Sequence, residues 1–252
     1  MNFFKCIVML LCGMCMNAQA ADVIVAVAAN FTAPMQKIAQ SFEQDTGHKA
    51  VLSFGATGHL YAQIKNGAPY QVLLAADDET PTKLEKEGLG VAASQFTYAI
   101  GKLVLWSKQP GLVDDKGEVL RTDRFQRIAL ANPKLAPYGM AAVETLTHMG
   151  LLTTLQAKFV QGENIAQTYQ FVATENAALG FVAQSQVMVD GKLVSGSAWV
   201  VPTGWHTPIR QNAVLLKSGQ NQAAAQALMA YLKTDKVKQL IRQYGYEVPS
   251  IK

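Results

Sequence analysis

The sequence predicts an α/β fold built as two lobes. Short apolar runs of strand length alternate with segments whose apolar residues recur at helical spacing, and this alternation is typical of a parallel sheet covered by helices. Two such sets of strands and helices occur. One long extended run follows each set: residues 96–106 follow the first, and residues 211–216 follow the second. We therefore expect the chain to cross from one lobe to the other and to return.

The first set has three strands, each followed by a helix. The strands are residues 23–27, 50–54 and 72–75. The first is apolar throughout, as a strand buried on both faces is. Gly47 and Gly67 end the first two helices. Thr57 is placed to cap the second helix and Thr80 the third, where Pro81 follows at the first helical position.

The second set follows a polar connection over residues 110–124. Its strands are predicted over residues 128–130, 159–160 and 179–182, and its helices over 140–149, 164–175 and 182–189. Two final helices, over 220–232 and 234–244, are expected to pack on the first lobe. The predicted lobes are residues 21–98 with 209–252, and residues 99–208.

The first twenty residues have the three parts of a secretory signal peptide. Lys5 precedes an apolar run from Cys6 to Met16, and a cleavage motif of the Ala-x-Ala type, formed by Ala18 and Ala20, follows it. The run is about ten residues long, whereas a membrane-spanning helix needs roughly 20. We expect cleavage after Ala20 and export of the chain.

Composition excludes several classes of function. The three cysteines, Cys6, Cys12 and Cys15, all lie in the predicted signal peptide, so the mature chain has no disulfide, thiol nucleophile or cysteine metal site. The net charge is only +4, and no run of basic residues occurs, which argues against binding to nucleic acid.

The sequence offers no recognisable enzyme motif. The four histidines include no pair at the helical spacing of a metal site, and no nucleophile elbow or phosphate-binding glycine loop occurs. The densest acidic cluster, residues 77–79, is explained by the stabilising position of acids in the first turn of a helix. We expect no catalytic residue and no direct metal ligand, and keep an exported hydrolase as a remote alternative.

Small neutral loops stand where strands end and helices begin. They are residues 28–30, 55–58 and 137–139. Ligands of open α/β sheets bind beyond the carboxyl ends of the strands, and the free N–H groups of a helix N-terminus attract anions without Lys or Arg. A site of donors alone satisfies a deprotonated oxyanion and rejects a ligand that must donate a proton. Each loop is also explained as a tight turn or helix cap, so both interpretations stay open.

Over roughly residues 22–248 the chain resembles the periplasmic molybdate-binding proteins of ABC transporters, the ModA family. The resemblance rests on the ordered series of residues 27–31, 55–58, 61–64, 66–70, 96–106, 132–133, 136–139, 179–183 and 244–246. It implies the type II two-lobe fold of periplasmic binding proteins, each lobe a mixed, mainly parallel sheet flanked by helices.

The resemblance also implies the ligand and its contacts. A molybdate or tungstate ion would lie between the lobes, held by neutral donors and without a cofactor. The matching positions are Asn30 with Ala29 beside it, Thr57, Tyr138 and, through its backbone N–H, Ile165. It further implies a periplasmic monomer that delivers the ion to an inner-membrane ABC permease.

Two positions depart from the family pattern. Many members have a tyrosine where this chain has Ala183, and some have a hydroxyl residue in place of Ala29. The resemblance then implies that the phenol of Tyr138 replaces the missing tyrosine. A receptor of the same fold for another oxyanion, such as sulfate, is the alternative, because sulfate carries the same charge and its exclusion would depend on cavity size.

Overall fold

In the computed structural model of this chain, residues 21–249 are described, and they contain two five-stranded sheets and a small two-stranded hairpin. The predicted signal peptide, with its cleavage after Ala20, lies outside the described residues. Within residues 21–249, no helix has both the length and the apolar character needed to cross a membrane.

Strands and helices alternate along most of the described chain. The strands are β1 (Asp22–Ala28), β2 (Lys49–Gly55), β3 (Val72–Leu74), β4 (Phe96–Gly101), β5 (Leu103–Ser107), β6 (Ile128–Ala131), β7 (Phe159–Gly162), β8 (Leu179–Ala183), β9 (Met188–Val189), β10 (Lys192–Leu193), β11 (Ser197–Val200) and β12 (Ile209–Leu215). The helices are α1 (Thr32–Thr46), α2 (Thr57–Lys65), α3 (Glu79–Lys86), α4 (Pro137–His148), α5 (Leu152–Leu155), α6 (Ile165–Ala173), α7 (Gln184–Val187), α8 (Ala223–Tyr231) and α9 (Asp235–Gln243).

The first sheet has the strand order β2-β1-β3-β12-β4. β1 pairs in parallel with β2 and β3, while β12 is antiparallel to β3 and β4. Val23, Val25 and Val27 pack on one face with apolar residues of α1, α8 and α9. Ala26 packs on the other face with α2 and α3. Because both faces of β1 are covered, its sequence is apolar at nearly every position.

The second sheet has the order β11-β5-β8-β6-β7. β6 is parallel to β7 and β8, and β5 is antiparallel to β8 and β11. The core beneath this sheet joins Ile128 and Phe181 with Leu146 of α4 and Ile165 of α6. This packing fixes the N-termini of α4 and α6 at the carboxyl ends of β6 and β7.

The predicted run over residues 96–106 is two strands in different sheets. β4 extends the first sheet to Gly101, beyond the predicted end of the lobe at residue 98, and β5 begins the second sheet at Leu103. The pairing of β4 with β12 contains a bulge: Gln211 pairs with Ala99 and Asn212 with Thr97, so Tyr98 is the extra residue. A bulge redirects a side chain, and here the Tyr98 ring is buried.

Some predicted element boundaries were wrong. α4 begins at Pro137 rather than at residue 140, so Tyr138 lies in the first helical turn and not in a loop. α3 begins at Glu79, ahead of Pro81. The helix predicted over residues 182–189 is only the single turn α7, because the chain then turns into the β9–β10 hairpin.

Candidate functional site

A small cavity, called here the inner cavity, lies between the two sheets. Strand ends of the first sheet and helix starts of the second supply its walls. It is lined by residues 28–30, 55–57, 76, 136–138, 164 and 165. All five positions predicted from the family resemblance, Ala29, Asn30, Thr57, Tyr138 and Ile165, are in this lining.

Three helix N-termini meet at the inner cavity. Thr57, Tyr138 and Ile165 stand in the first turns of α2, α4 and α6, where backbone N–H groups have no partner within the helix. Among residues 21–249, no protein acceptor takes these three N–H groups. The positive ends of three helix dipoles therefore point at one small space, an arrangement that favours an anion.

Asn164 shows how one of these N–H groups is left free. Its Oδ1 accepts from the N–H groups of Ala166 at 2.9 Å and of Gln167 at 3.0 Å, so it caps α6. The N–H of Ile165, one position earlier, remains for a ligand. Ile165 was predicted only from the family resemblance, because an apolar side chain gives no signal for a backbone contact.

Thr57 has a different local role from the one predicted. The N-cap of α2 is Ala56, and the Thr57 side chain makes no cap hydrogen bond. Instead, its Oγ1 accepts from the N–H of Ala76 at 3.1 Å. Because this bond uses a lone pair and not the hydroxyl proton, the proton stays available to an acceptor in the inner cavity.

Asn30 is held from behind by Gln211 of β12, by Ser185 of α7 and by Tyr246, which follows α9. Its Nδ2 donates to Oε1 of Gln211 at 2.8 Å and to the Tyr246 hydroxyl at 3.0 Å. Its carbonyl oxygen accepts from Tyr246 at 2.8 Å and from the Ser185 hydroxyl at 3.0 Å. Ser185 lies in α7, so these bonds link the two lobes.

Tyr138 contributes its backbone to the cavity wall, while its phenol reaches β4 and β12 of the first sheet. Nε2 of Gln211 donates to the phenol oxygen at 3.3 Å. The hydroxyl also occupies the space in which a side chain on Gly101 would stand, so only glycine fits at that position. Ala183, where many relatives have tyrosine, is buried and lies outside the cavity lining.

The inner cavity has no ionised wall. Its lining contains no Lys, Arg, Asp or Glu. Burial raises the pKa of Tyr246 to about 12, and burial likewise holds the pKa values of Tyr98 and Tyr138 well above their usual range. All three phenols behind the cavity therefore stay protonated at neutral pH. Among residues 21–249 there is also no cluster of His, Cys, Asp and Glu able to hold a metal ion.

The size of the inner cavity limits its ligand. Its volume is about 10 Å³, far below the roughly 300–1,000 Å³ of pockets that hold organic ligands. The N–H of Gly58 in α2 donates to the carbonyl oxygen of Leu135 at 2.9 Å, so the lobes touch beside the cavity. In this conformation the space has no room for an organic ligand.

A larger space, called here the outer cleft, opens next to the inner cavity. Its volume is about 350 Å³, and it shares Ala76, Ala136 and Pro137 with the inner cavity. Its charged lining residues are Asp77, Asp78, Glu79, Lys134, Glu144 and Arg210. Sequence reasoning explained the acids at 77–79 as first-turn residues and did not foresee that they line a cleft.

Sequence reasoning also missed the residues behind the cavity, namely Tyr98, Ser185, Gln211 and Tyr246. The usable signal was Gln211, a polar residue in a strand that is otherwise largely apolar and buried. A buried amide needs partners, so its position predicts a polar cluster nearby. Its partners come from distant parts of the chain, and no local pattern marks them.

Comparison with known proteins places this architecture in a family. The sequence model described as bacterial extracellular solute-binding protein matches residues 23–247. The molybdate-binding protein ModA of Azotobacter vinelandii is 61% identical over 91% of each chain. That of Rhodobacter capsulatus is 50% identical over 94% of this chain and 92% of its own. The chain belongs to the ModA family of bacterial extracellular solute-binding proteins.

Solved structures agree with this membership. The Azotobacter vinelandii periplasmic molybdate-binding protein superposes with a TM-score of 0.88 and 42% identity, covering 90% of this chain and all of that one. The predicted two-lobe α/β fold and the predicted family are confirmed. The prediction of a binding protein rather than an enzyme is confirmed as well, since the ModA relatives are binding proteins. The sulfate-binding protein SubI of Mycobacterium tuberculosis, at 12% identity and a TM-score of 0.74, shares the fold alone.

Proposed function

We propose that this chain is the substrate-binding protein of a molybdate ABC transporter, capturing molybdate or tungstate in the inner cavity and delivering it to a membrane permease. The observation that carries the proposal is the convergence of three helix N-termini on a cavity without charged residues. Names of relatives at 61% and 50% identity support the choice of ion.

The proposed contacts come from both lobes. Asn30, with Ala29 beside it, and Thr57 belong to the first lobe, and Tyr138 and Ile165 to the second. In the proposal, Thr57 offers its hydroxyl and N–H, and Tyr138 and Ile165 offer backbone N–H groups. A dianion that accepts from both lobes binds the closed form better than the open form, so it shifts the population towards closure.

The donor chemistry supports selection among anions. A fully deprotonated tetrahedral dianion only accepts, and every group in the proposed contact set can donate. Hydrogen phosphate must also donate a proton, and the inner cavity lining holds no carboxylate to receive it. Sulfate accepts as molybdate does, so the proposed discrimination between these two depends on the size of the closed cavity.

We also propose where and in which form the chain works. The chain would be cleaved after Ala20, act as a monomer in the periplasm, and dock on its permease in the closed, ion-loaded form. Sedimentation of the mature chain, with and without molybdate, tests the monomer: a concentration-dependent dimer would contradict it. Mass measurement of the exported chain tests the cleavage site.

Calorimetric titration tests the ligand. The mature chain is titrated separately with molybdate, tungstate, sulfate and phosphate at equal ionic strength. We expect tight binding of molybdate and tungstate and weak or no binding of the other two. Binding of sulfate without molybdate would replace the proposal by a sulfate receptor, and turnover abolished by substitution of Asn30 would favour the hydrolase.

A further inference from the structure

A cluster of buried polar side chains lies directly behind the inner cavity. Asn30, Tyr98, Tyr138, Gln211 and Tyr246 are each at most 4% exposed. Gln211 stands at the centre: its Oε1 lies 2.8 Å from Nδ2 of Asn30 and 3.0 Å from the Tyr98 hydroxyl, and its Nε2 lies 3.3 Å from the Tyr138 hydroxyl. Gln211 therefore connects a first-lobe contact residue with a second-lobe one.

In this arrangement the protons of the cluster do not match its contacts. Tyr98 has one hydroxyl proton but lies near two acceptors, Oε1 of Gln211 at 3.0 Å and the carbonyl oxygen of Ala75 at 3.1 Å. The Tyr138 proton and the second Nε2 proton of Gln211 are both left with the oxygen of Tyr246, which already accepts from Nδ2 of Asn30 at 3.0 Å. Buried donors that compete for one acceptor are unfavourable.

Asn30 is also turned the wrong way for an anion. Both protons of its Nδ2 point back, to Gln211 and Tyr246. Its Oδ1 accepts no hydrogen bond among the described residues, and Asn30 lines the inner cavity. An oxygen at that wall would repel an oxyanion rather than bind it.

Turning both amides by 180° removes these mismatches, because the two ends of an amide have the same shape and opposite hydrogen-bonding character. Gln211 Nε2 then donates to Oδ1 of Asn30 and to the oxygen of Tyr98, whose proton goes to Ala75. The Tyr138 hydroxyl donates to Oε1 of Gln211. Every proton named in the mismatch then has an acceptor, and Nδ2 of Asn30 faces the inner cavity. Oδ1 of Asn30 lies beside the Tyr246 hydroxyl, which donates to it, and the Ser185 hydroxyl keeps the bond to the Asn30 carbonyl oxygen.

We propose that Gln211 is a positioning residue for the anion: in the loaded protein it donates to Oδ1 of Asn30 and thereby aims the Asn30 amide protons at the ligand. The link to Tyr138 joins this orientation to the second lobe, because the Tyr138 hydroxyl lies 3.3 Å from the Gln211 amide. This inference rests on the proposed anion-binding function, and adds a residue that does not touch the ligand.

A double-mutant cycle tests the inference. Molybdate affinity is measured for the mature wild-type chain, Gln211→Met, Asn30→Ala and the double variant. If Gln211 acts through Asn30, Gln211→Met weakens binding about tenfold when Asn30 is present, and less than about twofold in the Asn30→Ala background. Equal factors in both backgrounds would overturn the inference, because a general structural role does not depend on Asn30.

The matched control is Asn212→Ala, in the same strand. The Asn212 side chain donates to Gln95 at 3.2 Å, away from the inner cavity. Its effect on affinity should be the same with and without Asn30. A wild-type chain that binds molybdate while the Gln211 cycle is additive would sink this inference alone. A wild-type chain that binds none of the four anions would remove the proposed function and this inference together.

A second measurement needs no substitution at Gln211. In nitrogen-15 spectra of the wild-type chain, assigned from the backbone, saturating molybdate should shift the side-chain amide signals of both Asn30 and Gln211. Gln211 is behind the wall, so its signals report changes in its surroundings and hydrogen bonds rather than a contact with the ion. Unchanged Gln211 signals in the presence of shifted Asn30 signals would overturn the inference even if Gln211→Met fails to fold.

Discussion

The inner cavity and the outer cleft adjoin each other between the same two lobes, yet the lining of one is neutral and that of the other is charged. The inner cavity, of about 10 Å³, has no charged residue in its lining. The outer cleft, of about 350 Å³, is lined by four carboxylates and two basic residues. Both include residues at the carboxyl ends of strands in the first sheet, so fold position alone does not decide what a strand end binds.

The starts of α2 and α3 explain the difference. In α3 the protein supplies its own anion, since Oδ1 of Asp77 accepts from the N–H of Thr80 at 2.8 Å. Partial burial is the main reason why the pKa of Asp77 is raised, and the neighbouring Glu79 and Asp78 raise it further. In α2 no acid occupies the first turn, and the N–H of Thr57 remains for a ligand. A helix N-terminus becomes a binding site only where the chain leaves it unoccupied.

The largest effect should come from adding a carboxylate to the inner cavity, which would then be charged as the outer cleft is. Asn30→Asp adds a carboxylate beside the ligand, and two unit charges at 4 Å repel by about 4 kcal/mol at an effective dielectric constant of 20. We expect molybdate affinity at pH 8 to fall by roughly a thousandfold or more, measured by calorimetry. The loss should shrink at lower pH as the carboxyl group protonates. A loss below tenfold at pH 8 would show that this side chain does not face the ion.

A smaller effect should follow from removing one donor and leaving the cavity neutral. Thr57→Ala deletes the hydroxyl and should weaken molybdate binding by about 1–3 kcal/mol, as expected for a hydrogen bond to a charged partner. It also leaves the buried N–H of Ala76 without its acceptor, so urea unfolding should show some loss of stability. Thr57→Ser keeps the hydroxyl and should retain most of the affinity. Equal affinity of the alanine variant and the wild type would exclude the hydroxyl contact.

Substitution in the outer cleft should change the rate of binding more than its strength. Asp78 is exposed and contributes one negative charge to the cleft lining. Asp78→Asn should raise the association rate of molybdate by about two- to threefold at low salt, and the gain should vanish in 1 M salt. Stopped-flow measurement of both rates checks this. A large drop in affinity would mean that the outer cleft holds the ion directly.

The smallest effect should come from pH. Because the pKa of Tyr246 is raised to about 12, and burial likewise raises those of Tyr98 and Tyr138, molybdate affinity should be nearly constant between pH 7 and 9. Unfolded tyrosines ionise near 10, so the free energy of unfolding should fall as pH rises from about 10 towards 12. A titration of affinity near pH 8 would contradict the description of a neutral, fully protonated cluster.

The fold was predictable because its signals are local. Apolar runs predict β1 and β2, helical spacing predicts α1, and Gly47 marks the end of α1. The family resemblance adds the two-lobe arrangement. The inner cavity was partly predictable, since Asn30 and Thr57 stand in small neutral loops at strand ends. Gln211 and Tyr246 were not, because their role arises from contacts between segments far apart in the chain. The sequence also gives no sign that the phenol of Tyr138, in the first turn of α4, reaches Gly101.

The bulge at Tyr98 constrains how relatives of this chain can diverge in length. Residues 99–101 of β4 pair with β12 in one register, and residues 96–97 pair in a register shifted by one. Loss of Tyr98 would bring both stretches into one register and withdraw a phenol from the cluster. Loss of any other residue of β4 would shift the pairing by one, and because successive side chains point to opposite faces, it would exchange the faces of its neighbours. Substitution in this strand keeps the register, whereas insertion or deletion changes it. The polar connection over residues 110–124, which lies outside both sheets, has no such restriction.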